Sequence, residues 1–501
     1  MDETKAQDSV LALLADPSTH GGLKPTRIDT HISSVFLVGD YAWKLKKAVK
    51  LPFLDFSTPQ LRQAACEAEI SANAPWNPSL YLGVIPVTVG ADGKPRLGGQ
   101  GDAVDWVVSM RRFAPNAQLD QVVVQGDVER SLLNGLTRTL WQGYQRAQVY
   151  HDRGGASGML AVIEELRVSF APFCPKVVSE ALVEGIVQAW RDFVVHYAQL
   201  LDYRRDNGFV RHCHGDLHLG NVCLLDGALV PFDAIEFNES FAAIDVLYDL
   251  AFLLMDFVAH DVQDYASMVL NYYLDLSGDF DAMPLLPLFM SMRAGVRSMV
   301  KASMGQAGDA RHYLELAHDC LTPPEPRIVA VGGLSGSGKS RMARRLAPML
   351  ALPGAAVVRT DAMRKRLMGV GLTDPLPPEG YKPEVTAKVY QTMVAICARL
   401  AASGFPVIAD GVFARPDERA AIEDAAKRVG CPFNGLWLEA SFDVAAARIE
   451  KRVGDVSDAT PEIRARQQEM ELGSMTWTRV ATDRANDSAF KQAKVALGIK
   501  R

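Results

Sequence analysis

The sequence has few cysteines, and they form no pattern. Its seven cysteines are scattered over 501 residues, and no two of them form a Cys-x-x-Cys pair. An odd number without a repeated spacing supports neither a disulfide framework nor a structural zinc site. Reduced thiols are typical of cytoplasmic proteins, so we expect a cytoplasmic location.

Long apolar segments are also absent. The most apolar stretch, 246–260, is interrupted by Asp249 and Asp256 and is too short to span a bilayer, so we expect a buried helix there. The chain begins with Met-Asp-Glu-Thr-Lys, which is acidic and has no apolar core, unlike a signal peptide. With 48% hydrophobic and 22% charged residues, the chain is expected to be globular, with two or three domains and no membrane partner.

A dense run of lysine and arginine with interleaved aromatic residues, as in a groove for single-stranded nucleic acid, is missing as well. The net charge of −6 is nevertheless uneven, since residues 326–501 have 27 Lys+Arg against 19 Asp+Glu and the rest has 26 against 40. Such a split favours two parts that bind different ligands. The guanine-specifying N-K-x-D motif is also absent, so the expected nucleotide is ATP.

Proline marks the boundary between the two parts. Three prolines fall within four consecutive positions, which excludes both a helix and a central strand there. Before this segment come strand patterns, with a hairpin turn at Gly39, and then long helical patterns, whereas strands and helices alternate after it. We therefore predict a domain at 1–320, a linker at 321–327 and a second domain at 328–501.

A complete phosphate-binding motif follows the first strand of the second domain. Residues 333–340 fit G-x-x-x-x-G-K-[ST] at every position. Backbone N–H groups in such a loop, and the positive end of the helix that follows, bind the phosphates of ATP. The predicted nucleotide-binding residues are Gly333, Leu334, Ser335, Gly336, Ser337, Gly338, Lys339 and Ser340. Lys339 would also act on the transferred phosphate as a catalytic residue, and the Ser340 hydroxyl would hold Mg²⁺.

Charged residues after the next strands complete a kinase-like set. Asp361 can accept the proton of an attacking hydroxyl, and Arg364 can bind an anionic or polar group of the acceptor. Asp410 ends another strand and is a candidate partner for Mg²⁺. Arg448 and Arg452 lie four residues apart on a predicted helix, where both can neutralise charge that develops on the phosphates. Singly, Asp361 is equally well explained as a helix N-cap, and the two arginines as a solvated helix face.

This second domain resembles the small P-loop kinases related to gluconate kinase, the zeta-toxin kinases and the polynucleotide 5′-kinases. The resemblance implies an α/β fold with a parallel sheet, in which Asp361 is the base and Arg448 and Arg452 belong to a lid. It also implies that 453–459 forms part of the lid and that Tyr381 lies in the region that binds the acceptor.

A second catalytic motif lies before the proline-rich segment. His214, Asp216 and Asn221 have the H-x-D-x-x-x-x-N spacing of a kinase catalytic loop. Asp216 would orient or deprotonate the acceptor hydroxyl, and Asn221 would bind a metal ion. Asp233, at the end of the strand that follows, is a second candidate metal ligand. Nearby histidines also suggest zinc, but no further cysteine or histidine completes four ligands at the usual spacing.

A kinase of this type also needs a strand lysine and a glutamate that holds it. Lys44 and Lys46 lie on one face of a predicted strand, and both are candidates. Glu67 and Glu69 follow on the next predicted helix, and we expect Glu69 to be the partner.

The first domain resembles the aminoglycoside-phosphotransferase-like kinases over about residues 30–304. The resemblance is carried by His214-Gly-Asp216…Asn221, Phe232-Asp233-x-x-Glu236 and Asp249-Leu-Ala251. It implies a bilobal, α+β, protein-kinase-like fold, in which Lys44 contacts the nucleotide and Asp249 braces the catalytic loop. No G-x-G-x-x-G precedes Lys44, so residues 30–35 would cover the phosphates instead.

The whole chain resembles bacterial proteins in which an aminoglycoside-phosphotransferase-like domain is fused to a P-loop ATP-binding domain. We therefore expect an ATP- and Mg²⁺-dependent phosphotransferase that acts on a hydroxyl group of a small molecule, such as a sugar or aminosugar. The acidic first domain favours a cationic acceptor. Two alternatives are a polynucleotide 5′-hydroxyl kinase with an accessory lobe, and a P-loop kinase gated by an amino-terminal domain that binds a ligand without turnover. Nothing in the sequence indicates an oligomeric state.

Overall fold

The structure is a computed structural model. It describes residues 3–51, 54–126, 128–451, 456–483 and 486–499. The chain divides into two compact units, one of Met1–Val162 with Val194–Leu253 and one of Ile163–Phe193 with Leu254–Arg501. The domain boundaries predicted from the sequence, with the linker in the proline-rich segment, were based on the motifs and stay a prediction.

The amino-terminal part of the first unit contains a six-stranded sheet. Its elements in chain order are α1 (Glu3–Ala15), β1 (Thr26–Asp29), β2 (Ser33–Val38), β3 (Tyr41–Lys46), β4 (Lys50–Leu51), β5 (Leu54–Asp55), α2 (Pro59–Asn73), β6 (Tyr81–Val89), β7 (Pro95–Leu97) and β8 (Asp102–Arg111). Six strands form an antiparallel sheet in the order β1-β2-β3-β8-β6-β7. The predicted hairpin is confirmed, because β2 and β3 pair around a turn at which Gly39 has a φ of 52°.

Helix α2 brings one face against this sheet. It begins after Thr58, whose side chain accepts a hydrogen bond from the Leu61 N–H. The side chains buried on it are those of Arg62, Cys66, Glu69, Ala72 and Asn73. Three- and four-residue spacings place these residues on one helix face, so Glu69 is directed toward the strands.

Helices and short strand pairs follow. They are α3 (Leu119–Gln125), α4 (Arg130–Arg146), α5 (Gly155–Phe170), α6 (Glu180–His196), α7 (Ala198–Asp206), β9 (Val210–His212), β10 (Val222–Leu225), β11 (Ala228–Pro231), α8 (Glu239–Ala242) and β12 (Ala243–Asp245). Strands β10 and β11 form an antiparallel hairpin, and β9 pairs with β12. The loop between β9 and β10 carries the predicted catalytic motif, and this part of the chain combines helices with antiparallel strands, as the predicted α+β fold requires.

The second unit contains the parallel sheet. The division between the units falls within α9 (Val246–Ala259). The elements after it are α10 (Gln263–Ser277), α11 (Leu286–Ser303), α12 (Ala307–Cys320), β13 (Ile328–Gly332), α13 (Lys339–Leu346), β14 (Ala356–Arg359), α14 (Thr360–Leu367), α15 (Pro383–Ala402), β15 (Val407–Asp410), α16 (Pro416–Val429), β16 (Phe433–Glu439), α17 (Phe442–Glu450), α18 (Pro461–Gln468), β17 (Thr478–Ala481) and α19 (Asn486–Ala496). Five strands are parallel in the order β14-β15-β13-β16-β17, which confirms the predicted α/β fold.

The order of these strands determines where a ligand can bind. Every residue of β13, β14 and β15 is buried, which is typical of a parallel sheet covered on both faces. Parallel strands end at the same edge of a sheet, so the loop after β13, the start of α14 and the end of β15 lie together. In the described part of the chain, no helix combines the length and the apolar character needed to cross a bilayer.

Candidate nucleotide and phosphoryl-transfer sites

In the first unit, Lys44 joins two carboxylates from distant parts of the chain. It lies in β3 between Val35 and Val108 of the neighbouring strands. Its Nζ is 2.8 Å from Glu69 Oε1 and 2.5 Å from Asp233 Oδ1. The structure therefore brings together three residues that were predicted separately, and Glu69 rather than Glu67 is the glutamate that contacts the lysine.

Lys46 extends this arrangement into the interior. Its side chain is fully buried, with Nζ 2.8 Å from Glu69 Oε2 and a second ion pair to Glu236. Burial alone would raise the pKa of Glu69, but Lys44 and Lys46 outweigh burial and lower it to about 2. Burial would likewise lower the pKa of Lys44, but Asp233 and Glu69 raise it well above its ordinary value. Glu69 and Lys44 are therefore charged at neutral pH.

The catalytic loop forms a second cluster. Asn221 Nδ2 donates to Asp216 Oδ2 and to the Asp216 carbonyl oxygen, both at 2.9 Å. The Asp216 side chain is 39% exposed, so an acceptor can reach it. The Phe232 N–H donates to the Asn221 carbonyl oxygen at 2.9 Å, which holds the loop beside the residue before Asp233. The predicted metal ligands Asn221 and Asp233 therefore belong to neighbouring backbone segments.

Buried partners fix the shape of this loop. Asp249 accepts hydrogen bonds from the Gly215 N–H at 2.8 Å, the His214 N–H at 3.3 Å and the Tyr144 hydroxyl at 2.9 Å. His214 Nε2 donates to the Phe232 carbonyl oxygen at 2.9 Å. Asp249 thus contacts the loop in the way that the resemblance implies.

The backbone of Asp233 is held in a conformation that is uncommon for a residue other than glycine. Its φ is 62°, and its N–H donates to the Tyr81 hydroxyl at 3.0 Å. The next N–H, of Ala234, donates to Asn73 Oδ1 at 3.0 Å. Sequence reasoning missed Tyr81 and Asn73, because neither residue belongs to a recognisable motif.

In the second unit, a cavity of about 770 Å³ gathers most of the predicted site residues. Those that line it are Ser335, Gly336, Ser337, Gly338, Lys339, Ser340, Asp361, Arg364, Tyr381, Asp410 and Arg448. Gly333 and Leu334 lie at the start of the same loop, where the Leu334 carbonyl oxygen accepts a hydrogen bond from Lys339 Nζ at 3.3 Å.

The loop has the shape of a phosphate cradle. Gly336 has a φ of 79°, and a Cβ atom on it would lie 2.6 Å from the Ala445 carbonyl oxygen, so glycine is required. Helix α13 begins at Lys339, which directs its N-terminal end toward the loop. These residues fit the phosphates of a nucleotide, and Lys339 would face the transferred group.

A second wall of the cavity carries groups suited to an acceptor. Arg364 Nη1 donates to the Gly380 carbonyl oxygen at 2.7 Å and to Thr386 Oγ1 at 3.0 Å, and its guanidinium lies 5.5 Å from the centre of the Tyr381 ring. The Tyr381 hydroxyl donates to Asp458 Oδ2 at 3.2 Å. Burial, together with Asp458, raises the pKa of Tyr381 to about 12, so this phenol remains a hydrogen-bond donor at neutral pH.

Oxygen ligands for Mg²⁺ are present near the loop. Ser340 and Asp410 line the same cavity, and a hydroxyl and a carboxylate are ligands that Mg²⁺ accepts together with water and phosphate. Within the described ranges, no group of three or more His, Cys, Asp or Glu side chains is arranged to hold a metal ion. Asp410 has a partner that the sequence did not indicate, since its Oδ2 lies 3.5 Å from Arg359 Nε.

Of the two predicted lid arginines, Arg448 contacts the phosphate loop. Arg448 Nη2 donates to the Thr482 carbonyl oxygen at 2.6 Å, and Nη1 lies 3.4 Å from the Gly336 carbonyl oxygen. This places Arg448 against the phosphate loop. Arg452 and residues 453–455 of the predicted lid at 453–459 lie outside the described residues.

Likenesses to solved structures are found for both parts of the chain. A choline/ethanolamine kinase family protein from Mesorhizobium loti is 12% identical, with a TM-score of 0.39, over 64% of this chain and 96% of that protein. A gluconokinase from Sinorhizobium meliloti 1021 is 22% identical, with a TM-score of 0.25, over 35% of this chain and 92% of that protein.

Sequence comparison covers more of the chain. Residues 328–472 match the AAA domain family. The chain is also 31% identical over 483 residues to uncharacterized proteins of Mycobacterium tuberculosis and Mycobacterium bovis, covering 92% of this chain and 94% of each relative. The chain therefore belongs to the same family as these mycobacterial proteins.

Proposed function

We propose that this protein uses ATP and Mg²⁺ to transfer the γ-phosphoryl group to a hydroxyl of a small molecule, such as a sugar or aminosugar. The observation that carries the proposal is the cavity in the second unit. It has the phosphate loop on one wall and Asp361, Arg364 and Tyr381 on another, so donor and acceptor can meet inside it.

Each group in the cavity has a separate task in such a transfer. Asp361 accepts the proton of the attacking hydroxyl, and Arg364 with Tyr381 positions the acceptor. Lys339 and Arg448 stabilise the negative charge on the phosphoryl oxygens, because cations fixed in advance need no reorganisation during the reaction. Mg²⁺, held by Ser340 and Asp410, would neutralise further charge on the phosphates.

The amino-terminal site supports a second transfer centre. Lys44 is held by Glu69 and would contact the phosphates, and Asp216 would receive the acceptor proton. Asn221 and Asp233 supply the oxygen atoms for a metal ion. The excess of Asp and Glu in residues 1–325 favours a cationic acceptor at this site.

The test is a transfer screen with γ-labelled ATP and Mg²⁺. Pools of sugars, aminoglycosides, nucleosides and 5′-hydroxyl oligonucleotides would be offered to the wild type, to Lys339→Ala and to Asp216→Ala. We expect label on a small hydroxylated compound, and its loss in only one variant identifies the half that acts on that compound. Lys50→Ala, which changes an exposed lysine, is the matched control and is expected to keep full activity.

Other outcomes would replace this proposal. Label on oligonucleotides, with an affinity that falls steeply with salt, would support the polynucleotide kinase instead. The gated arrangement also has an observation in its favour, since Asp233 is engaged by Lys44. A ligand of the amino-terminal domain that changes ATP hydrolysis by the P-loop domain, without itself being phosphorylated, would establish that arrangement.

A further inference from the structure

Helix α10 lies along the outer strand of the parallel sheet. Asn271 Nδ2 donates to the Ala355 carbonyl oxygen at 3.2 Å, and the Val357 N–H donates to Asn271 Oδ1 at 2.7 Å. These are the backbone groups that a further strand would bind beside β14, so the Asn271 side chain takes the place of a strand there. These two hydrogen bonds join α10 to the edge of the sheet.

One helical turn later, α10 contributes a carboxylate to the same strand. Asp275 Oδ2 lies 2.8 Å from Nη1 of Arg359, the last residue of β14. Arg359 Nε in turn lies 3.5 Å from Asp410 Oδ2. All three side chains are at most 6% exposed, so water contributes little to their solvation.

The charges of Asp275, Arg359 and Asp410 explain why Asp275 is needed. A buried guanidinium between two carboxylates is stabilised by both of them. Each carboxylate therefore balances only part of the positive charge of the guanidinium. If Asp275 were neutral, Arg359 would lose the carboxylate that lies 2.8 Å from its Nη1, and more of its positive charge would act on Asp410. The Asp410 carboxylate would then be less available to a metal ion, because a cation already fixed beside it both repels the metal and competes for its oxygens.

We infer that Asp275 is a positioning residue for the magnesium site of the P-loop half, which it serves by holding Arg359 and, through it, the Asp410 carboxylate. Helix α10 precedes the proline-rich segment in the sequence, whereas the other residues of this magnesium site follow that segment. The site therefore depends on a residue from before the segment. The inference rests on the proposed function, since it assumes that Asp410 takes part in binding Mg²⁺.

The test measures metal binding separately from catalysis. Mn²⁺ would be titrated in place of Mg²⁺ with a non-hydrolysable ATP analogue, and free Mn²⁺ followed by electron paramagnetic resonance. Every protein carries Asp233→Asn to remove the proposed amino-terminal metal ligand, and Ser340→Ala identifies the signal of the P-loop site. We expect Asp275→Asn to weaken Mn²⁺ binding by roughly tenfold, the low end of what loss of an outer partner of a ligand costs.

Asn271→Ala is the control for a purely structural role. It removes the other bonds between α10 and β14, so it is expected to lower the midpoint of thermal unfolding but to leave Mn²⁺ affinity unchanged. If Asp275→Asn gives no cooperative unfolding transition, Arg359→Lys replaces it, because that variant keeps the charge but loses the fork that bridges two carboxylates. We expect Arg359→Lys to weaken Mn²⁺ binding as well.

The outcomes separate this inference from the proposed function. Wild-type affinity in the folded Asp275→Asn or Arg359→Lys protein, or an equal loss in Asn271→Ala, would overturn the inference even if transfer activity is found. Weakened Mn²⁺ binding in a protein that transfers no phosphoryl group would support the inference while contradicting the proposed function.

Discussion

The two candidate nucleotide sites are built in different ways. In the P-loop half, eight consecutive residues supply the phosphate cradle, and the backbone itself provides most of the donors. In the amino-terminal half, Lys44, Glu69 and Asp233 meet through side chains, although 189 residues separate the first from the last. The local site depends mainly on glycine conformation, whereas the dispersed site depends on the folding of the whole unit. The two sites should therefore respond differently to equivalent substitutions.

The largest expected effect concerns the proposed proton acceptors, which would be the feature that the two sites share. Asp361→Asn and Asp216→Asn are each expected to lower transfer by their own half about 10²- to 10⁴-fold, because an amide cannot accept the proton. Binding of ATP, measured by calorimetry, should stay near the wild-type value in both variants. Asp417→Asn, on an exposed carboxylate paired with Arg415, is the control. Full transfer activity in Asp361→Asn would remove that residue from the mechanism.

The second prediction separates the sites by stability. Lys44→Ala removes two charge-assisted contacts, but Glu69 keeps Lys46 as a partner and the Asp233 side chain is 43% exposed, so we expect the free energy of unfolding of the first unit to fall by about 1.5–3 kcal/mol. Lys339→Ala removes a side chain that projects into a cavity, and we expect a loss below about 1 kcal/mol. Urea unfolding of both variants measures the difference. Lys50→Ala, in an exposed ion pair, sets the baseline. If both variants lost the same free energy of unfolding, the contacts of Lys44 would not contribute more to folding than those of Lys339.

A third prediction concerns pH. Burial lowers the pKa of His214 below its ordinary 6.5. Below about pH 6.5 the unfolded chain therefore binds a proton that the folded chain does not, so stability is complete above that pH and falls as the pH decreases toward the folded pKa. The contribution of this histidine is at most about 1.4 kcal/mol per pH unit.

The measurement is urea unfolding of the first unit at several pH values between about 5.5 and 7.5. His214→Gln should reduce the slope of stability against pH. His318→Gln, on an exposed histidine, should leave the slope unchanged. An unchanged slope in His214→Gln would show that protonation of this side chain does not oppose folding.

The smallest expected effect tests the backbone of Asp233. Tyr81→Phe removes the hydroxyl that accepts its N–H, so we expect a loss of about 1 kcal/mol in the free energy of unfolding. We also expect a reduced affinity of the amino-terminal half for metal, because the conformation of Asp233 is no longer fixed. Tyr41→Phe, on an exposed tyrosine of the same sheet, is the matched control. A variant with wild-type metal affinity would show that the Tyr81 hydroxyl is not needed to position Asp233.

The residues that could be predicted from the sequence are those that belong to motifs of fixed spacing. The phosphate loop, the catalytic loop and the strands before them form continuous patterns. The prediction of Glu69 as the partner of Lys44 is confirmed by the 2.8 Å contact between them. Residues that act through a distant partner have no such pattern. Asp275 is one acidic residue on a helix, and only the packing of α10 on β14 brings it to Arg359, 84 positions later. Tyr81 and Asn73 were missed for the same reason.

The contact of Asn271 with β14 has a consequence for solubility. Strand β14 is an edge strand of its sheet, and an uncovered edge strand can pair with a strand from another molecule. The Asn271 side chain occupies the Ala355 carbonyl and the Val357 N–H, and a Cβ atom on Gly354 would collide with Ser267 of the same helix. A fragment beginning at residue 328, where the match to the AAA domain family begins, would lose this cover and expose a template for aggregation.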